Sequence, residues 1–324
     1  MPVYNIIQAV NDAIKLEMRR NQKVVLLGED VGKFGGVFRA TSGLQEEFGK
    51  DRVMDTPLAE AGIIGAAIGM ALYGLRPIAE IQFADFIYPA FDQIVNELAK
   101  FRYRSGGEYP CPVVIRTPYG GGIRGGHYHS QSPEAYFIHT PGLKVIVPSN
   151  PYDAKGLLLT ALREEDPVIF LEPKRVYRAS KGEVPEDDYT IPFGQAKIVR
   201  PGSGVTVLCY GSMVHTVQEA LDKHGAGEYD PEVIDLRSLV PLDTDAILTS
   251  VRKTGRVVIV QEAPKTCGFA AELSAIIAEK ALLHLEAPIL RVCGLDTPFP
   301  YTLELEYLPS PERVTKAIAD TARF

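Results

Sequence analysis

The sequence predicts an α/β protein of two three-layer αβα units with mostly parallel sheets. Short apolar runs alternate with helical patterns between residues 24 and 173, the pattern of a parallel sheet covered on both faces. A polar, proline-containing stretch, SKGEVPEDDYTIP, breaks the pattern between Lys174 and about Phe193, and a second alternation follows. The length, 324 residues, suits roughly two domains. The division falls between 1–185 and 186–324.

The elements follow in order. Ile6, Ile7, Val10, Ile14 and Met18 recur at helical spacing and open the chain with an amphipathic helix. VVLLGED (24–30) is a buried strand ending in acids, and the glycine loop GKFGGVF (32–38) follows. VMDTPLAEAGIIGAAIGMALYG (53–74) reads as a short strand, a proline turn and a helix of small residues that can pack closely on another helix. PIAEIQF (77–83) is a strand, and Phe91, Ile94, Val95 and Leu98 mark a helix. PVVIRTP (112–118) is a strand, followed by a loop rich in glycine and histidine (119–131). Ser132-Pro133-Glu134 starts a helix with a capping hydroxyl, a proline and an acid. LKVIVPS (143–149) and PVIFLEP (167–173) flank a helix that begins at Asn150-Pro151. The second block has strands at 205–211, 232–236, 256–262 and 288–294, and Ser310-Pro311-Glu312 repeats the cap pattern.

Composition excludes several classes. Hydrophobic residues are 46% and charged residues 23%, which argues against disorder. A net charge of −7 without a basic block suits neither nucleic acid nor a membrane surface. The apolar stretch from Gly62 to Leu75 is too short to span a bilayer. The N-terminal residues lack a basic region followed by an apolar core, so no secretory signal is expected. The expected location is cytoplasmic, or the mitochondrial matrix for a eukaryotic chain whose presequence has been removed. Cys111, Cys209, Cys267 and Cys293 stand singly and read as buried thiols of a reducing compartment.

Gly120, Gly122 and Gly125 form a literal GxGxxG after a strand. A dinucleotide site also needs a helix opening in the motif and an acid about 20 residues on. Residues 140–150 hold no acid, so that reading fails. His127 and His129 in GGHYHSQSPE are either loop histidines with local hydrogen bonds, a metal pair without a third ligand, or an acid–base site. Glu60 is either a first-turn acid favoured by the helix dipole or a partly buried functional acid. More than a turn without charge follows it, which favours burial.

In order along the chain stand GEDVG (28–32), GGVFRAT (35–41), DTPLAEAGIIGAAIGMA (55–71), EIQFADF (80–86), HYHSQSPEA (127–135), PGLKVIVP (141–148) and DAKGLL (153–158). VIDLRSLVPLD (233–243), EAP (262–264), APILRVCG (287–294) and DTPFP (296–300) follow. Together they resemble the beta subunit of the E1 component of 2-oxo acid dehydrogenase complexes, over essentially the whole chain. HYHSQSPEA and RVCGLDTPFP are more similar to the branched-chain (2-oxoisovalerate) members than to the pyruvate members.

The resemblance implies a thiamine pyrimidine-binding domain followed by a transketolase C-terminal-like assembly domain. It implies thiamine diphosphate, whose C2 proton is lost when a carboxylate on the pyrimidine favours the imino tautomer; the protein supplies orientation and proton control. Glu60 matches the family's activating glutamate, and an apolar setting is expected to raise its pKa. Glu29, Leu58, Ala59, Gln82 and Phe86 match further cofactor contacts. Phe86 stands where many relatives carry tyrosine, which puts any hydroxyl role there in doubt. Phe83, Phe86 and Tyr88 are expected at the acyl pocket, or else as ordinary core. His129 matches the active-site histidine that handles a proton during decarboxylation or the reductive acylation of lipoate, with His127 a structural neighbour. The family also allows a potassium ion on the carbonyls of a loop such as ALREEDP (161–167).

The chain contains no Gly-Asp-Gly, the motif with which thiamine enzymes hold Mg²⁺ and the diphosphate. No Mg²⁺ ligand is therefore assigned here, and the resemblance implies an alpha chain that supplies it, in a heterotetramer of two alpha and two beta chains. It further implies a 2-oxo acid substrate and a lipoyl-bearing E2 acyltransferase, with the Phe324 terminus a contact for E2. The expected activity is decarboxylation of branched-chain 2-oxo acids with acyl transfer to lipoyl-E2. A pyruvate or acetoin dehydrogenase E1 beta subunit, or a non-catalytic scaffold subunit, are the alternatives.

Overall fold

A computed structural model describes all 324 residues. The first sheet has seven strands, in the spatial order Ser238–Val240, Lys144–Ile146, Val168–Pro173, Val114–Tyr119, Arg76–Glu80, Val24–Gly28 and Val53–Asp55. All neighbours are parallel except Ser238–Val240, which runs antiparallel to Lys144–Ile146. The second sheet orders Leu290–Gly294, Val257–Pro264, Val205–Cys209, Pro231–Asp235 and Lys197–Arg200. Only Lys197–Arg200 is antiparallel there. The central strands are buried along their length, which is why they read as continuous apolar runs. Val3–Asn5 pairs with Lys181–Glu183 as a separate ribbon.

Ser238–Val240 belongs by sequence to the second block but completes the first sheet. The largest core cluster likewise joins Ile115 and Ile169 of the first sheet to Leu208, Ile234 and Ile259 of the second. Helices cover both sheets. The first, Ile6–Arg20, is closed at its start by reciprocal hydrogen bonds of Asn5 and Gln8. It packs against Pro151–Arg163, where the Asn150 side chain accepts from the Asp153 amide at 2.9 Å.

Four expectations are corrected. The strand expected to reach Phe83 ends at Glu80, and the chain turns through Ala84–Phe86. Gln82 and Phe83 thereby leave the sheet. The helix expected around Phe91 to Leu98 is irregular: the Leu98 amide reaches both the Gln93 and Ile94 carbonyls, across a π-helical turn. Ser132 does not cap the helix Glu134–Ile138; Glu134 instead turns inward to accept from the Tyr210 hydroxyl at 2.7 Å. Cys267 is exposed, because it sits in a left-handed loop position between a strand and a helix. The other three cysteines are buried.

Helix Glu60–Leu72 buries Ile63, Ile64, Ala67 and Ile68, while Ala61, Gly62, Ala66 and Gly69 are exposed. Its packing within the chain includes the 88–97 segment. The small-residue face expected to meet another helix is therefore open in this single chain.

Candidate active site

The parallel register sets the site. Gly28 lies opposite both Asp55 and Glu80, and Glu80 lies opposite Arg116. Glu29, the turn to Glu60, the Gln82–Phe86 segment and the 120–131 loop thus leave the sheet at one carboxyl edge. Parallel sheets bind ligands at that edge.

His129 is half-buried, and its ring meets two aromatic rings edge-on. Phe83 is 4.6 Å away and Phe86 5.2 Å, centroid to centroid. Phe83 and Phe86 are 5.5 Å apart, and Phe38 touches Phe83 at 5.4 Å. Edge-on geometry suits the ring quadrupoles. Asp85, between the two phenylalanines, accepts from the amides of Ser130 and Gln131 at 3.1 and 3.0 Å. One short turn thus holds both the imidazole and the backbone beside it.

The loop glycines serve this packing. A Cβ at Gly125 would come within 2.5 Å of the His129 Cβ, and Gly120 has φ +78° with Glu262 against it. Their role here is close approach of backbone to side chains.

Glu60 begins its helix and is only partly covered, and Leu58 and Ala59 are exposed. The burial expected for Glu60 is therefore incomplete in this chain. Burial and the negative charges of Asp30 and Glu60 push the Glu29 carboxyl above its ordinary value. Two neighbouring carboxyls of like charge favour retention of a proton. Gln82 and Phe86 are half-buried at the same edge. This donor set, with carboxyls, an amide and an aromatic face, fits an aminopyrimidine ring. Tyr88 stands one step away, donating to Gln131 at 3.2 Å and meeting Tyr136 edge-on. His127 is exposed, and its carbonyl accepts from the Gln131 side chain at 2.6 Å. At 161–167, the Leu162 and Glu164 carbonyls already accept from Arg76.

Several buried charges under the site escaped the sequence reading. Arg116 is 1% exposed and donates to both oxygens of Glu172, at 2.8 and 2.7 Å, and to Glu80. Tyr177 also donates to Glu172. The available signal was one charge near the end of each apolar strand, in PVVIRTP, PVIFLEP and PIAEIQF. Asp85 and Lys174 carried no comparable pattern.

Glu134 is fully buried, and burial, opposed by the Tyr210 hydrogen bond, pushes its carboxyl up to about 7 from 4.5. The folded chain then holds a proton that the unfolded chain releases. The resulting stability is fully present below pH 4.5 and is lost as pH rises through 7. Glu134→Gln is expected to flatten this decline, as read by denaturant titrations at pH 5 and pH 8. An unchanged slope would contradict it.

The family description of the transketolase pyrimidine-binding domain matches residues 3–180, and that of the transketolase C-terminal domain matches 194–314. The chain is 55% identical over 322 residues to a mitochondrial 2-oxoisovalerate dehydrogenase subunit beta of Dictyostelium discoideum, covering 98% of this chain and 86% of that one. It is 52% identical over 327 residues to the 2-oxoisovalerate dehydrogenase subunit beta of Bacillus subtilis (strain 168), covering 100% of both. It is 48% identical over 324 residues to the pyruvate dehydrogenase E1 component subunit beta of the same strain, covering 100% and 98%. A solved split gene transketolase, an inactive beta4 tetramer, superposes with a TM-score of 0.81 at 24% identity over 98% of each chain. That likeness shows the fold.

Proposed function

The chain belongs to the family of 2-oxo acid dehydrogenase E1 beta subunits, and from that premise we propose that it is the beta half of a branched-chain, 2-oxoisovalerate-decarboxylating E1. It is a subunit of a thiamine diphosphate-dependent oxidoreductase. The observation that carries the reading is the seating of His129 between Phe83 and Phe86, at the sheet edge that also presents Glu29 and Glu60. The higher identity to branched-chain relatives, 52–55% against 47–48% for pyruvate relatives, supports the substrate class.

Thiamine diphosphate, when bound, supplies the nucleophilic carbon and the electron sink for decarboxylation. Glu60 would hold the aminopyrimidine and exchange a proton with it through its carboxyl group. Gln82 would hydrogen-bond the ring, Phe86 would cover its face, and Leu58 and Ala59 would flank it through their backbone. Phe83, Phe86 and Tyr88 would border the acyl chain and exclude water. His129 would move a proton at the imidazole during acyl transfer to the dithiolane. An alpha chain carrying Gly-Asp-Gly would hold Mg²⁺ and the diphosphate, in a heterotetramer of two alpha and two beta chains that acylates lipoyl-E2. Arg76 already donates to the Leu162 and Glu164 carbonyls at 161–167, which leaves fewer oxygens there for a potassium ion. The division of the chain at 185/186 belongs to the same reading.

The test is a comparison of kcat/KM for 2-oxoisovalerate, pyruvate and acetoin in the complex reconstituted with its alpha chain. Preference for 2-oxoisovalerate is expected; preference for pyruvate would move the chain to the other branch. His129→Ala is expected to fold and assemble but to lose acylation of a lipoyl domain by roughly 10²-fold or more. Acylation at the parent rate would remove the histidine from the mechanism.

A further inference from the structure

Lys174 follows directly on strand Val168–Pro173 and is 4% exposed. Its ammonium lies 5.3 Å from the centre of the Phe83 ring and has no hydrogen-bond partner. Burial lowers its pKa to about 8, and the charges drawing it back up are Asp85, Glu262 and Glu304. Those three acids are themselves buried, and they share a further property. Each accepts a backbone amide of the loop that carries His129. Glu262 holds Gly121, Glu304 holds Arg124 at 2.9 Å, and Asp85 holds Ser130 and Gln131.

The acids come from three separate places in the chain. Asp85 lies in the turn after Arg76–Glu80, Glu262 in Val257–Pro264, and Glu304 in the short helix Glu304–Tyr307. Buried carboxylates are costly without a counter-charge. Lys174 is the cation acting on Asp85, whose second oxygen is likewise without a partner. An ammonium is a compact point charge with three donors on a flexible stem. That of Lys174 makes no direct ion pair with any one of the three, so its charge acts on all of them across the low-dielectric interior.

We propose that Lys174 is a positioning residue for His129, the shared counter-charge of three carboxylates that clamp the 120–131 loop. The proposal rests on the reading of His129 as the proton-handling group in acyl transfer. It also gives the C-terminal block a part in the site, since two of the three acids belong to it.

The test uses the complex assembled with its alpha chain. In Lys174→Met, amides of 120–131 are expected to exchange about tenfold faster or more, while most other amides keep their rates. Acylation of a lipoyl domain is expected to fall about tenfold with the KM for the 2-oxo acid unchanged. Adding Glu304→Gln removes one negative charge for the positive charge lost, and the amide oxygen that replaces the carboxylate can still accept from Arg124. The double variant is therefore expected to recover loop protection and most of the acylation rate. Parent-like exchange and acylation in Lys174→Met would overturn the proposal, as would a double variant no better than the single. Should Lys174→Met fail to assemble, assembly of the double variant supports the charge balance and failure of both overturns it. A loosened loop with unchanged acylation in both Lys174→Met and His129→Ala would overturn the histidine reading and leave Lys174 as a holder of the loop alone.

Discussion

Glu60→Gln is expected to assemble with the alpha chain and to lose decarboxylation by roughly 10²–10⁴-fold, the range of a positioned acid–base group. Glutamine keeps the shape and still hydrogen-bonds, but it cannot exchange a proton. The fold is indifferent to the change, because Glu60 is partly exposed at the first turn of its helix. A first-turn acid contributes only about 0.3–1 kcal/mol through the helix dipole. Initial rates with an artificial electron acceptor, beside native mass spectra of the complex, separate catalysis from assembly. Turnover within a few-fold of the parent would contradict the assignment.

Arg116→Met is expected to have the largest effect on stability. The guanidinium is fully buried between Glu80 and Glu172 on the two neighbouring strands. Removing it leaves two carboxylates in the core without a cation, at a cost of about 3–5 kcal/mol. Native domains have roughly 5–15 kcal/mol in all, so the variant should be recovered poorly or unfold at much lower denaturant. Replacing Glu80 and Glu172 by glutamine in the same chain removes the orphaned charges and should restore part of the loss. Denaturant midpoints of the three proteins decide the matter. A single variant as stable as the parent would show that the pair carries no such burden.

Local patterns made most of the fold legible. The buried strands are short apolar runs, and the helices at Ile6 and Pro151 begin where Asn5 and Asn150 cap them. Glu60 and His129 stood out because their motifs repeat a family's order. What stayed hidden depends on contacts between distant residues. Ser238–Val240 crosses to the first sheet because that sheet has an open edge beside Lys144–Ile146. Glu262 and Glu304 reach the histidine loop across 141 and 180 residues, and no local pattern signals such a reach. Lys174 sits in EPKRVYR, which reads as the start of a polar linker, yet the fold closes over it. The partial exposure of Glu60 was equally illegible, since an apolar helix reads as buried whether this chain or a partner covers it.

The central claim is that this chain carries half of a thiamine diphosphate site, completed by an alpha chain. Native mass spectrometry of the tagged chain, isolated from its own cells with thiamine diphosphate and Mg²⁺ present, tests it most directly. The account predicts equal numbers of a second chain, two of each, with two cofactors bound. A lone homodimer without cofactor, at concentrations where such complexes survive, would contradict it.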